Sequence, residues 1–148
     1  MNHVCSASVI GLLAADLHAT LASRTSAAPG GVAAEQARLG DILDYIDAHL
    51  GECELDERMI RAAFKLSRAT LYRWFQDLGG VARYIRERRL RLAHRHLQRD
   101  PGCSLTWLLY EVGFASERQF QRAFQARFGM SPASWRLACR GVPRERLC

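Results

Sequence analysis

A nine-residue pattern occurs twice in this chain, and any fold must accommodate both copies in the same way. Ser67-Arg68-Ala69-Thr70-Leu71-Tyr72-Arg73-Trp74-Phe75 and Ser116-Glu117-Arg118-Gln119-Phe120-Gln121-Arg122-Ala123-Phe124 both read Ser-x-x-x-apolar-x-Arg-x-Phe. On a helix the apolar residue and the Phe four further on share one face, which can be buried, while the intervening Arg points elsewhere. Each copy opens on Ser, a favoured helix N-cap, and follows a short turn after another apolar-rich segment. The pattern therefore predicts two helix-turn-helix units. In a basic protein such units point to DNA.

The charge agrees with that direction. The 148 residues carry a net charge of +6, and of 21 basic residues only Lys65 is not Arg. Arg suits bidentate contacts with phosphate and guanine, although GC-rich coding also raises its frequency. Charge alone would equally suit RNA or an acidic membrane. A hydrophobic content of 49% is enough for a core in one compact domain or two small lobes.

Other chemistries find little support. Cys5, Cys53, Cys103, Cys139 and Cys148 form no C-x-x-C pair and no zinc spacing, the pattern of reduced cytosolic thiols. His94 and His96 stand two apart on a predicted helix and so make a poor metal pair; both read as surface or phosphate-side residues. No metal, cofactor or catalytic constellation is expected, and no nucleophile motif such as G-x-S-x-G occurs. No apolar run reaches membrane-spanning length. Val9 to Ala15 resembles a signal sequence slightly, but no Lys or Arg precedes it and Asp16 interrupts it, so a cytoplasmic location is expected.

Residues 1–38 differ from the rest. Ile10, Leu13, Leu17 and Leu21 share a helical stripe, and Ala22 to Arg38, with Pro29-Gly30-Gly31, reads as a flexible linker. The stripe could fold back on the domain, pair with a second chain, or be the stub of a larger domain. The globular part is expected over 39–140, with a frayed tail at 141–148.

Seven helices are predicted there. Leu39, Ile42, Leu43, Ile46 and Leu50 define the first, with Asp41, Asp44 and Asp47 on its opposite face, and Leu55 to Phe64 the second. Lys65-Leu66 turn into the first repeat, and Gly79-Gly80 end it. Val81 to Arg99 is the longest, with Leu90, Ala93 and Leu97 as its apolar row and seven Arg between Arg83 and Arg99 forming either a solvated basic face or a phosphate surface. Asp100-Pro101-Gly102 stops it. Ser104 caps a helix to Val112, Gly113-Phe114-Ala115 turn into the second repeat, Gly129 closes that helix, and Ser131-Pro132 open the last.

These residues resemble the AraC/XylS family of bacterial transcription regulators over about Leu39 to Arg136. The most specific stretch is Gly113-Phe114, Phe120, Arg122, Phe124, Phe128-Gly129, Ser131-Pro132 and Trp135-Arg136, where many spacings must agree at once. Arg89-Leu90, Ala93 and Leu97 resemble the family's linker helix, and Ser67, Leu71 and Phe75 match its first unit. The resemblance implies an all-α fold of two helix-turn-helix lobes joined by a long helix, with an extra N-terminal helix. Its recognition helices, about 67–76 and 116–128, would enter successive major grooves of double-stranded DNA. The chain departs from the family pattern at Lys65, where the turn usually has Gly, and at Arg61 and Leu109, where a small residue usually packs. The connection from Gly79-Gly80 to Tyr84 is also shorter than the common form. A 19-residue linker is about 28 Å long against about 34 Å per DNA turn, a mismatch that favours bent DNA or one floating lobe.

With Leu71, Trp74 and Phe75 inward, Arg68, Ala69, Tyr72 and Arg73 face out. With Phe120, Ala123 and Phe124 inward, Glu117, Arg118, Gln121 and Arg122 face out. These match the family's base-facing positions, and Ser67 and Ser116 would meet phosphates. For Arg73 and Arg122 the alternative is a phosphate clamp or an internal salt bridge; for Glu117 it is a favourable place at a helix N-terminus. The expected function is sequence-specific regulation of transcription initiation at an asymmetric site, its sense, activation or repression, being left open by the sequence. RNA polymerase and self-association through the N-terminal helix are further partners this reading allows. The rival is a helical protein-interaction module, or the C-terminal part of a longer effector-responsive regulator, that binds DNA weakly. An enzyme is the least supported class.

Overall fold

The computed structural model describes residues 31–140, and these contain the seven expected helices and no strand. They are α1 (Gly31–Ala48), α2 (Glu57–Phe64), α3 (Arg68–Phe75), α4 (Val81–Arg99), α5 (Leu105–Glu111), α6 (Glu117–Phe128) and α7 (Pro132–Arg140), with a 3₁₀ turn at Gln76–Leu78 after α3. The N-terminal stripe at Ile10 to Leu21, the linker up to residue 30 and the tail at 141–148 lie outside the described residues.

Helix starts follow the side chains that can satisfy free backbone N–H groups. Asp56 Oδ1 accepts from Met59 N at 2.9 Å, Ser67 Oγ from Thr70 N at 3.1 Å, and Ser104 Oγ from Trp107 N at 3.4 Å. Asp56 is thus a cap, one residue outside α2. One linker expectation is corrected: residues 31–38 belong to α1. Past Gly31 the segment Ala33-Ala34-Glu35-Gln36-Ala37-Arg38 consists of strong helix formers, which outweigh the glycines before it.

Two separate cores form. The first joins Ile42, Leu43, Ile46 and Leu50 of α1 and its end to Leu55, Ile60, Leu71, Phe75, Val81, Tyr84 and Ile85. The second joins Leu90, Ala93 and Leu97 to Leu108, Leu109, Val112, Phe114, Phe120 and Phe124. Both draw on α4, from different sides. Val81, Tyr84, Ile85 and Arg88 form one stripe at three- and four-residue spacing; Leu90, Ala93 and Leu97 form another. At 100° per residue the second stripe is rotated from the first by roughly 150°. The helix therefore lies between its two lobes.

Where the stripe changes face, α4 buries an ion pair. Arg88 is 2% exposed and Asp47 6%. Arg88 Nε donates to Asp47 Oδ1 at 2.8 Å, and its Nη2 donates to Oδ2, a bidentate pair. This corrects the placing of Asp47 on the outer face of α1. Asp47 stands four residues after Leu43 and three before Leu50, so it lies on the buried stripe, where it needs a cation. The basic run of α4 is likewise not one solvated face. Arg88 is buried, and Arg89 is half-buried, donating from Nε to Leu50 O at 3.0 Å and from Nη2 to Glu52 O.

Those bonds join the lobes. Gly113 of the second lobe lies against Leu50 O, which would be 2.1 Å from a Cβ at that position, and its φ of 76° is left-handed. Only glycine meets both conditions. A second link, Arg127 Nε to Glu87 Oε2 at 2.9 Å, runs from α6 back to α4.

Removing one partner of a buried pair strands the other charge, so Asp47→Ala should destabilise folding by about 3–5 kcal/mol. Pairing it with Arg88→Met should recover most of that loss. Chemical denaturation measures both; a loss below about 1 kcal/mol for Asp47→Ala would contradict the burial of this pair.

Candidate nucleic-acid interface

Each lobe presents one helix whose inner face is fixed by the core and whose outer face is exposed. In α3, Leu71 and Phe75 are fully buried and Trp74 is half-buried. Burying a Phe or Leu side chain contributes about 1.5–3 kcal/mol, enough to set the rotation of a short helix. Arg68, Ala69, Tyr72 and Arg73 consequently face out, with Tyr72 66% exposed. In α6, Phe120 and Phe124 are buried and Ala123 is half-buried, while Glu117, Arg118, Gln121 and Arg122 are exposed.

The turns that aim the two helices differ in chemistry. Leu66 N bonds to Arg61 O at 3.1 Å, and Phe114 N bonds to Leu109 O at 3.1 Å, so Lys65-Leu66 and Gly113-Phe114 are equivalent. Lys65 has φ 51° and ψ 48° and is the only non-glycine with positive φ among the described residues. A side chain there costs about 1–2 kcal/mol, which the first lobe carries and the second avoids. Arg61 adapts to its crowded place by directing Nε toward Leu66 O at 3.4 Å. Leu109 is simply buried in the second core.

The outward residues are not equally free. Arg68 Nε lies 3.4 Å from Glu57 Oε1. Arg73 Nη2 donates to Glu35 Oε1 at 2.8 Å, and Trp74 Nε1 donates to the same oxygen. Gln121 Nε2 donates to Glu117 Oε1 at 2.8 Å along the surface of α6. Arg118 and Arg122 have no hydrogen-bond or ion-pair partner among the described residues. Ser67 caps α3 through Oγ and pairs with Thr70 Oγ1 at 2.8 Å, whereas Ser116 stands at the N-cap of α6 without a side-chain capping bond.

Three features escaped the sequence reading. Gln125 is exposed and continues the row Arg118, Arg122 at spacings of four and three, a periodicity that could have identified it. A cleft between the lobes is lined by Glu57, Arg86, Arg89 and Gln119, drawn from three helices. Glu35 belongs to a segment read as linker, and no sequence signal linked it to Arg73.

The histidines of α4 are not phosphate-side residues. His94 stacks on Phe128 with ring centroids 4.5 Å apart and lies 4.5 Å from Trp135. His96 meets Trp107 edge-on at 5.7 Å. Burial lowers the pKa of both; Arg127 and Arg95 add to it at His94, while Glu111 partly opposes it at His96. Among the described residues there is no cluster of metal-binding side chains, and no helix is long and apolar enough to cross a membrane.

Comparison with known proteins places this geometry in context. A family model described as a helix-turn-helix domain matches residues 60–138. The chain is 34% identical over 111 residues to the HTH-type transcriptional activator RhaS of Citrobacter koseri, covering 74% of this chain and 39% of that protein. It is 29% identical over 123 residues to RhaS of Salmonella arizonae, covering 82% and 44%. The chain thus spans less than half the length of these relatives. No solved structure matches significantly.

The histidine environments fix a pH dependence. Both rings have depressed values in the folded state, so their stabilisation is fully present above the unfolded value, about 6.5, and is lost as pH falls through the folded values. Thermal midpoints should therefore decline on acidification below about pH 6.5, and His94→Phe should flatten part of that decline. A wild-type midpoint constant between about pH 7 and 5.5 would contradict the packing of His94.

Proposed function

Because the chain belongs to the AraC/XylS family of helix-turn-helix proteins, we propose that it is a DNA-binding transcription regulator whose α3 and α6 read two different half-sites. The observation that carries this reading is the duplicated unit. Each copy has a core-facing row that fixes the helix and an outward row of polar or basic side chains. The two outward rows differ in sequence, so a single chain would read an asymmetric site without a palindrome.

The chemistry of each row suggests a division of work. Arg122 and Arg118 can each make bidentate contacts with guanine, and Gln121 can pair with adenine once released from Glu117. Ala69 is small enough to touch a thymine methyl, and Tyr72 and Arg68 flank it. Glu117 lies in the first turn of α6, where the helix dipole favours a carboxylate, and its bond to Gln121 gives it an orienting role. Ser67 and Ser116 would bring helix N-termini to phosphates, which sets register rather than sequence. Arg86 and Gln119, in the cleft between lobes, are suited to the backbone that would run from one groove to the next.

The bonds between lobes favour rigid placement of the two readers over a floating lobe. A span of about 28 Å for α4 against about 34 Å per turn then favours DNA that bends toward the protein. Transcription activation is the activity named for the RhaS relatives, and we extend it to this chain as its regulatory sense.

Arg122 provides the sharpest test. Affinities for single-base variants of a preferred duplex should show that Arg122→Ala relaxes discrimination at one base pair by about 1–3 kcal/mol. A uniform loss across all variants would make Arg122 a phosphate contact and remove α6 as a base reader at that position.

A further inference from the structure

Arg73 is one of two outward arginines of α3, and it is already engaged. Its Nη2 donates to Glu35 Oε1 at 2.8 Å, although the Arg73 side chain remains 67% exposed and that of Glu35 43% exposed. The same Glu35 oxygen accepts from Trp74 Nε1. Trp74 packs partly against the first core, so its indole holds the carboxylate beside α3 whether or not Arg73 stays. The hydrogen bond from Trp74, followed by that from Arg73, keeps Glu35 below the ordinary carboxylate range, and it is ionised at neutral pH. At the equivalent position of α6, Arg122 has no such partner among the described residues.

A carboxylate offers an arginine the same paired acceptors as a phosphate or the guanine edge. To reach into a groove, Arg73 must give up Glu35, and the anchored carboxylate stays behind near the phosphates. We propose that Glu35 is a built-in competitor for Arg73, which weakens the first recognition helix and sets the base preference of its half-site. The inference rests on the reading of α3 as a DNA-contacting helix. It makes the first lobe the adjustable reader and the second the anchor. The effect is a tuning rather than a block, because exposed ion pairs change an equilibrium by no more than about fivefold.

Glu35→Gln tests it, since the amide oxygen still accepts from Trp74 while the charge is gone. The variant should bind its selected duplex up to about fivefold more tightly, with the gain in base preference confined to the half-site read by α3. In an Arg73→Ala background the same substitution should leave base preference unchanged. An unchanged thermal midpoint for Glu35→Gln establishes that the fold is intact, and Glu35→Ala, which releases Trp74 as well, should shift affinity in the same direction. Unchanged or weaker binding by Glu35→Gln would overturn the proposal and make Glu35 a brace for Arg73. A wild-type protein that selects no sequence would instead overturn the DNA reading beneath it.

Discussion

The change of face along α4 is the constraint on which the rest of the structure depends. A straight helix with one apolar stripe can serve one core. Here Val81, Tyr84, Ile85 and Arg88 serve the first core, and Leu90, Ala93 and Leu97 serve the second from nearly the opposite side. The buried Arg88–Asp47 pair occupies the crossover. A pair of this kind adds little net stability over an apolar substitute, but its bidentate geometry permits one rotation of α4 against α1. Arg89 then ties the same stretch to Leu50 O and Glu52 O, beside the turn at Gly113 that aims α6. The direction of α6 is thus linked to the end of α1 through two adjacent arginines.

Much of this was legible in the sequence. The repeated Ser-x-x-x-apolar-x-Arg-x-Phe pattern identified both outward helices, because a core face at four-residue spacing determines what remains outside. Ser67, Ser104 and the glycines at 79, 80, 113 and 129 marked helix ends, since caps and left-handed turns use few residue types. Long-range pairing was not legible. Asp47 reads as surface until Arg88 arrives from 41 residues away. His94 reads as polar until Phe128 and Trp135 close over it. Residues 31–38 read as linker because their alanines follow a glycine- and serine-rich stretch, although alanine favours a helix and glycine opposes it. The candidate site was legible as a set of outward positions, but not in the state of its side chains.

That state separates the two lobes. The first carries a lysine in a left-handed turn, an eight-residue outward helix and two arginines engaged by Glu57 and Glu35. The second has glycine at the equivalent turn, a twelve-residue helix and two arginines without partners among the described residues. The turn strain bears on the stability of the first lobe, whereas the pre-engaged charge would have to be released before Arg73 could meet a new partner. Under the proposed DNA reading, the second lobe would supply most of the affinity and the first would refine the choice of site.

The central claim is that one chain carries two unlike DNA readers held by a single helix. Incubating the purified protein with random duplexes at physiological salt, and sequencing those retained, tests it most directly. The account predicts two unlike half-sites with centres about 10 base pairs apart, the stronger enrichment falling on the half-site read by α6. A single half-site, or no enrichment above non-specific attraction, would contradict it.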